Sequence, residues 1–68
     1  MIDQILAEFR RLLAGVDGIT SVSAEASGIR LTVETTLPRD ERDAIYDAET
    51  ALMERFPDAL IDFRVRNG

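Results

Sequence analysis

The stretch from Leu52 to Arg66 constrains this chain more than any other. Proline has no backbone N–H and its ring clashes with the preceding helical turn, so a helix running through Leu52-Met53-Glu54-Arg55-Phe56 must stop at Pro57. From Ala59 to Arg66 apolar and charged residues then alternate. Ile61, Phe63 and Val65 fall on one side and Asp62, Arg64 and Arg66 on the other, the period-two signature of a strand with one buried face. A chain that passes from a helix into such a strand needs further elements to cover both apolar faces.

The rest of the sequence supplies them. Ile2, Ile5, Leu6, Phe9, Leu12, Leu13 and Val16 recur at spacings of three and four, which winds them into one stripe of a helix. Asp3 and Glu8 nearer its start and Arg10 and Arg11 near its end suit the helix dipole, and Gly15 is placed to end it in the left-handed conformation. Val16-Asp17-Gly18 reads as a turn. From Ile19 the period becomes two, with Thr20, Val22 and Ala24 on one face and Ser21, Ser23 and Glu25 on the other. Ser27-Gly28 turns the chain, and Ile29, Leu31, Val33 and Thr35 alternate with Arg30, Thr32 and Glu34, which predicts an antiparallel hairpin. Thr36-Leu37-Pro38 starts a second helix with Asp40, Glu41 and Asp43 in its opening turns and Ile45, Ala48, Leu52 and Phe56 inward.

These elements predict a single α+β domain over residues 1–68, a two-layer sandwich of order α-β-β-α-β in which two helices cover one face of a three-stranded mixed sheet. The second strand, second helix and last strand form a β-α-β unit, whose strands should be parallel with a right-handed crossover. A domain of 68 residues buries only about 60% of the surface its unfolded chain exposes, so pairing with a second copy would add stability.

Composition removes several activities. With no cysteine there is no disulfide, thiolate nucleophile or cysteine metal site, and with no histidine or lysine the hydroxyls lack a general base. A net charge of −5 disfavours nucleic acid and anionic membrane, since binding to phosphate is driven by cationic side chains. No apolar run approaches the roughly 20 residues that cross a bilayer, and Met1-Ile2-Asp3-Gln4 lacks the basic region of a signal peptide, which makes the cytoplasm the expected address. Gly15-Val16-Asp17-Gly18 matches a Gly-x-x-Gly phosphate clamp on paper, but it joins a helix to a strand and carries Asp17, which favours a helix-ending turn.

The order of elements, with Ala14-Gly15-Val16 after the first helix, Ser27-Gly28 before the second strand, Ala48, Glu49 and Leu52 in the second helix and Glu54-Arg55-Phe56-Pro57-Asp58 before the last strand, resembles the cytoplasmic C-terminal domain of cation diffusion facilitator transporters. The resemblance implies a shortened, ferredoxin-like, metallochaperone-type fold that pairs with a second copy and often binds zinc near the pairing contact. It also implies histidines at places where this chain has Thr20, Thr32 and Arg42, and a His-x-Asp-Pro ending where it has Arg64-Val65-Arg66-Asn67. A guanidinium offers a metal no lone pair, so the resemblance implies the domain without its transition-metal site. The transporters' membrane helices have no counterpart in these residues, and transport is not carried over.

Three surface groups remain as candidates. Asp40, Asp43 and Asp47, with Glu41, form a carboxylate cluster that would suit magnesium or calcium, although carboxylates opening a helix are also what its dipole favours. Arg64 and Arg66 are expected on the outer sheet face, where they could meet an anion or carboxylate or simply balance Glu25, Glu34 and Asp62. Tyr46, Met53 and Leu60 are the apolar residues expected at a self-contact, a partner contact or the core edge. The expectation is a non-catalytic cytosolic interaction and dimerisation module, a homodimer with no cofactor. The alternative is a regulatory cation-binding domain that uses surface carboxylates.

Overall fold

The computed structural model describes residues 2–25 and 27–68. Helix α1 spans Ile2–Leu13, strand β1 Ile19–Glu25, strand β2 Arg30–Thr35, a single 3-10 turn Arg39–Glu41, helix α2 Asp43–Arg55 and strand β3 Asp62–Asn67. This is the α+β class and element order that the alternation and helical spacing imply. The sheet runs β1-β2-β3, with β2 central, antiparallel to β1 and parallel to β3.

The hydrophobic core lies between β2 and the two helices. Leu31 and Val33 of β2 are completely buried, as are Ile5 and Phe9 of α1 and Ile45 and Leu52 of α2, with Leu13 and Ala48 nearly so. Val22 and Ala24 of β1 and Phe63 and Val65 of β3 flank this core on the same side of the sheet and remain half-buried. The Phe9 ring meets Phe63 at a centroid distance of 5.6 Å and an interplanar angle of 57°, the tilted arrangement that aromatic quadrupoles favour. Among the described residues no helix is long and apolar enough to cross a membrane.

Four local details differ from the sequence reading, and each has a tertiary cause. The residue in left-handed conformation after α1 is Gly18, at φ +85, rather than Gly15. The Gly18 carbonyl accepts the Thr36 N–H at 2.9 Å and the Thr35 hydroxyl at 2.7 Å, which ties the start of β1 to the end of β2. Thr20 does not share the inner face with Val22. The register shifts between Ile19 and Ser21, so Ile19 pairs with the inward Thr35 while Thr20 is exposed and donates its hydroxyl to the Glu34 carbonyl at 3.1 Å.

Ile29 belongs to the hairpin turn rather than to β2. Its φ of +41 is rare for a β-branched residue, and in that position its carbonyl accepts the Asp62 N–H at 3.0 Å, the first rung of the parallel ladder. Finally, α2 begins at Asp43 instead of Pro38. Pro38 is extended, and Arg42, at φ −100 and ψ 16, breaks the path between the 3-10 turn and the helix.

Two glycines test this geometry. Gly18 and Gly28 both have φ near +85, but a Cβ on Gly18 would come within 3.0 Å of Leu37 whereas one on Gly28 meets nothing. In denaturant titrations Gly28→Ala should lose about 1 kcal/mol, the backbone cost alone. Gly18→Ala should lose about 2 kcal/mol or more, because side-chain crowding adds to that cost. Equal losses would contradict the tight approach of Leu37.

Candidate functional site

Alternation along three paired strands turns every second side chain away from the helices, and on this chain those side chains are polar. The open face carries Ser21, Ser23 and Glu25 of β1, Arg30, Thr32 and Glu34 of β2, and Asp62, Arg64 and Arg66 of β3. The register sets Arg30 beside Asp62, Thr32 beside Arg64 and Glu34 beside Arg66. Arg30 Nε donates to Asp62 Oδ2 at 3.0 Å and its Nη1 lies 3.8 Å from Glu25 Oε2, so one guanidinium links all three strands. Arg64 and Arg66 make no ion pair among the described residues. With Glu25, Arg30, Thr32 and Val65 they line a concavity of about 340 Å³.

The exposed apolar residues lie around the start of β3 and on α2. Leu60 is 91% exposed, Met53 47% and Tyr46 43%. Tyr46 and Met53 stand seven residues apart on α2, two turns along one face. Met53 and Leu60 share a groove of about 440 Å³ with Gly28, Ala59, Ile61 and Asp62, open to solvent beside β3.

The candidate carboxylates are spread along the chain. Asp40 sits in the 3-10 turn, Asp43 opens α2 and Asp47 lies one turn further, all exposed. The break at Arg42 prevents a single helix from carrying the three on one face. Among the described residues no three acidic, histidine or cysteine side chains converge as a metal group.

Arg42 has a different position from the one its sequence neighbours suggest. It is only 7% exposed, its Nε donates to the Leu37 carbonyl at 3.0 Å, and its Nη2 donates to Asn67 Oδ1 at 2.6 Å. One side chain thus closes the loop before α2 and holds the end of β3. The signal was present in the spacing, since Arg42 lies three residues before Ile45 and in phase with the buried stripe of Ile45, Ala48 and Leu52. Next to it Thr35, fully buried, accepts the Leu37 N–H at 3.1 Å.

The helices share a further polar tie. Glu8 of α1 accepts from Arg11 Nη2 at 2.9 Å and lies 2.8 Å from Arg55 Nε of α2. The Arg11 hydrogen bond, aided by the positive charges of Arg11 and Arg55, holds the Glu8 carboxyl below its usual pKa, and the same contact raises that of Arg11. Half-buried Glu49 of α2 shifts the other way, pushed up by desolvation.

Arg42→Ala would leave the Asn67 amide oxygen and Leu37 carbonyl without their donor and should cost about 1–3 kcal/mol. Exposed Arg64→Ala should change stability by no more than about 0.5 kcal/mol. Thermal unfolding of the two variants makes the comparison. The two shifted carboxyls predict opposite pH effects. A depressed native pKa at Glu8 stabilises above the unfolded value and the gain disappears as pH falls through the native one, so Glu8→Gln should lower the melting temperature near neutrality and lose that effect as pH falls through the native pKa. A raised native pKa at Glu49 opposes folding once the group ionises, so Glu49→Gln should raise the melting temperature near neutrality and lose that effect below the unfolded pKa.

No protein-family model, curated protein or solved structure matches the chain. The fold therefore stands as a small α+β domain with a three-stranded mixed sheet, and no family is identified.

Proposed function

We propose that this domain is a non-catalytic cytosolic interaction module that works as a pair of copies, in the manner of the cytoplasmic C-terminal domain of cation diffusion facilitator transporters but without a transition-metal site. The observation that carries the reading is the groove where Met53 and the almost fully exposed Leu60 lie together beside β3. An isolated exposed leucine is ordinary, but two large apolar side chains on one groove make a contact surface. A chain of 68 residues has a small core and gains more than a large one from a second copy.

The likeness in element order supports the comparison with the transporter domain. Gly15-Val16 falls between α1 and β1, Ser27-Gly28 in the hairpin, and Phe56-Pro57-Asp58 between α2 and β3. The proposed absence of a transition-metal site rests on the side chains themselves. Arg42, Arg64 and Arg66 stand where that resemblance calls for donor groups, and Arg42 is committed to Leu37 and Asn67. The non-catalytic reading rests on a chain without histidine, cysteine or lysine to act as base or nucleophile. Excess negative charge directs the proposal to a protein partner over a polyanion.

Light scattering over a concentration series tests the pairing. The mass should approach that of two copies at high micromolar concentration, and Leu60→Lys with Met53→Lys should return it to one. A mass of one copy throughout the series would contradict the proposal.

A further inference from the structure

The two edges of the sheet are not equivalent. In a β-ladder the N–H and C=O of alternate residues point to opposite neighbours, so an edge strand directs every second pair of groups outward. On β1 the outward edge is obstructed: the register shift at Thr20 distorts it, and Arg10 Nη2 donates to the outward Val22 carbonyl at 3.0 Å. On β3 the Asp62 N–H bonds to the Ile29 carbonyl and the Gly68 N–H to the Thr35 carbonyl, each 3.0 Å. Even-numbered residues of β3 thus face β2, and the backbone groups of Phe63, Val65 and Asn67 face outward. Among the described residues no side chain hydrogen-bonds to those groups.

We propose that the β3 edge pairs antiparallel with β3 of a second copy, joining two three-stranded sheets into one six-stranded sheet. This rests on the pairing reading above and specifies its geometry. Charge selects both the occupant and the register. With the twofold axis at Phe63, Asp62 of each copy lies across from Arg64 of the other, giving two opposite-charge pairs on the open face. With the axis at Arg64, two arginines face each other. With the axis at Val65, Arg64 faces Arg66 twice. Of these three registers the first alone has no like-charge pair, and like charges directly opposite across strands are unfavourable.

That register also aligns what must be buried. Phe63 pairs with its own copy and Val65 with Ile61, which packs against the core just before β3; all three are only half-buried in the single chain. Leu60 faces Arg66, whose aliphatic stem can cover it. The Met53 groove, which opens at Leu60 and Asp62, borders the seam.

Sedimentation velocity on the wild type and two charge variants tests the proposal. Arg64→Glu alone sets a carboxylate across from Asp62 of the copy, and Asp62→Lys alone sets an ammonium across from Arg64. Each should weaken pairing by about ten-fold or more, because two favourable cross-strand pairs become two unfavourable ones. An equimolar mixture of the two variants restores both pairs, one with the native charges and one with the charges exchanged, and should regain wild-type pairing as a mixed dimer. A chemically synthesised chain with the Val65 nitrogen methylated, which leaves the ladder to β2 intact, provides the backbone control and should be monomeric. Wild-type dimers that persist unchanged in all these chains would overturn the edge pairing while leaving the dimer itself. A wild-type monomer at every concentration would overturn the pairing reading on which it rests.

Discussion

Strand β2 is the part of this domain on which everything else is placed. It is paired on both edges, and its inward side chains Leu31, Val33 and Thr35 are all fully buried. Burial of such aliphatic side chains contributes about 1.5–3 kcal/mol each, and here the same residues also set the register of both neighbours. Leu31 lies beside Ala24 and Phe63, and Val33 beside Val22 and Val65. Moving either edge strand by one residue would exchange its apolar and charged sides, so the core fixes the outer face as firmly as the inner one.

One end of β2 depends on polar contacts instead. Thr35 bridges Gly18 and Leu37, and Arg42 bridges Leu37 and Asn67. These bonds join the turn before β1, the loop before α2 and the end of β3 around a single strand end. A buried guanidinium is tolerable there because it donates to a backbone carbonyl and a side-chain amide. The contacts also hold β3 in register, which orients Asp62, Arg64 and Arg66 on the open face.

The elements that periodicity specifies were legible in the sequence. The helical stripe from Ile5 to Leu13, the alternation around Leu31 and Val33 and the stop at Pro57 each follow from residues within one segment, and they suffice for the α-β-β-α-β order. What they leave out depends on partners far along the chain. Asp40, Glu41 and Asp43 suit a helix start, so local chemistry favours beginning α2 at Pro38. The actual break comes at Arg42, whose partner Asn67 is 25 residues away. The bulge at Thr20 and the positive φ of Ile29 likewise serve the ladder to other strands. The candidate surface was only partly legible: alternation gives the side on which Arg64 and Arg66 lie, while the difference between the two sheet edges requires the Arg10–Val22 contact and the parallel ladder together.

The open edge of β3 is the surface through which two copies are proposed to pair. Amide hydrogen exchange measured by NMR at low and high protein concentration tests it at single-residue level. Exchange at the outward amides of Phe63 and Val65 should slow as concentration rises, while the outward amides of Val22 and Ala24 on β1 stay unchanged. Concentration-dependent protection on β1 instead, or none at Phe63 and Val65 under conditions where the chain is dimeric, would contradict it.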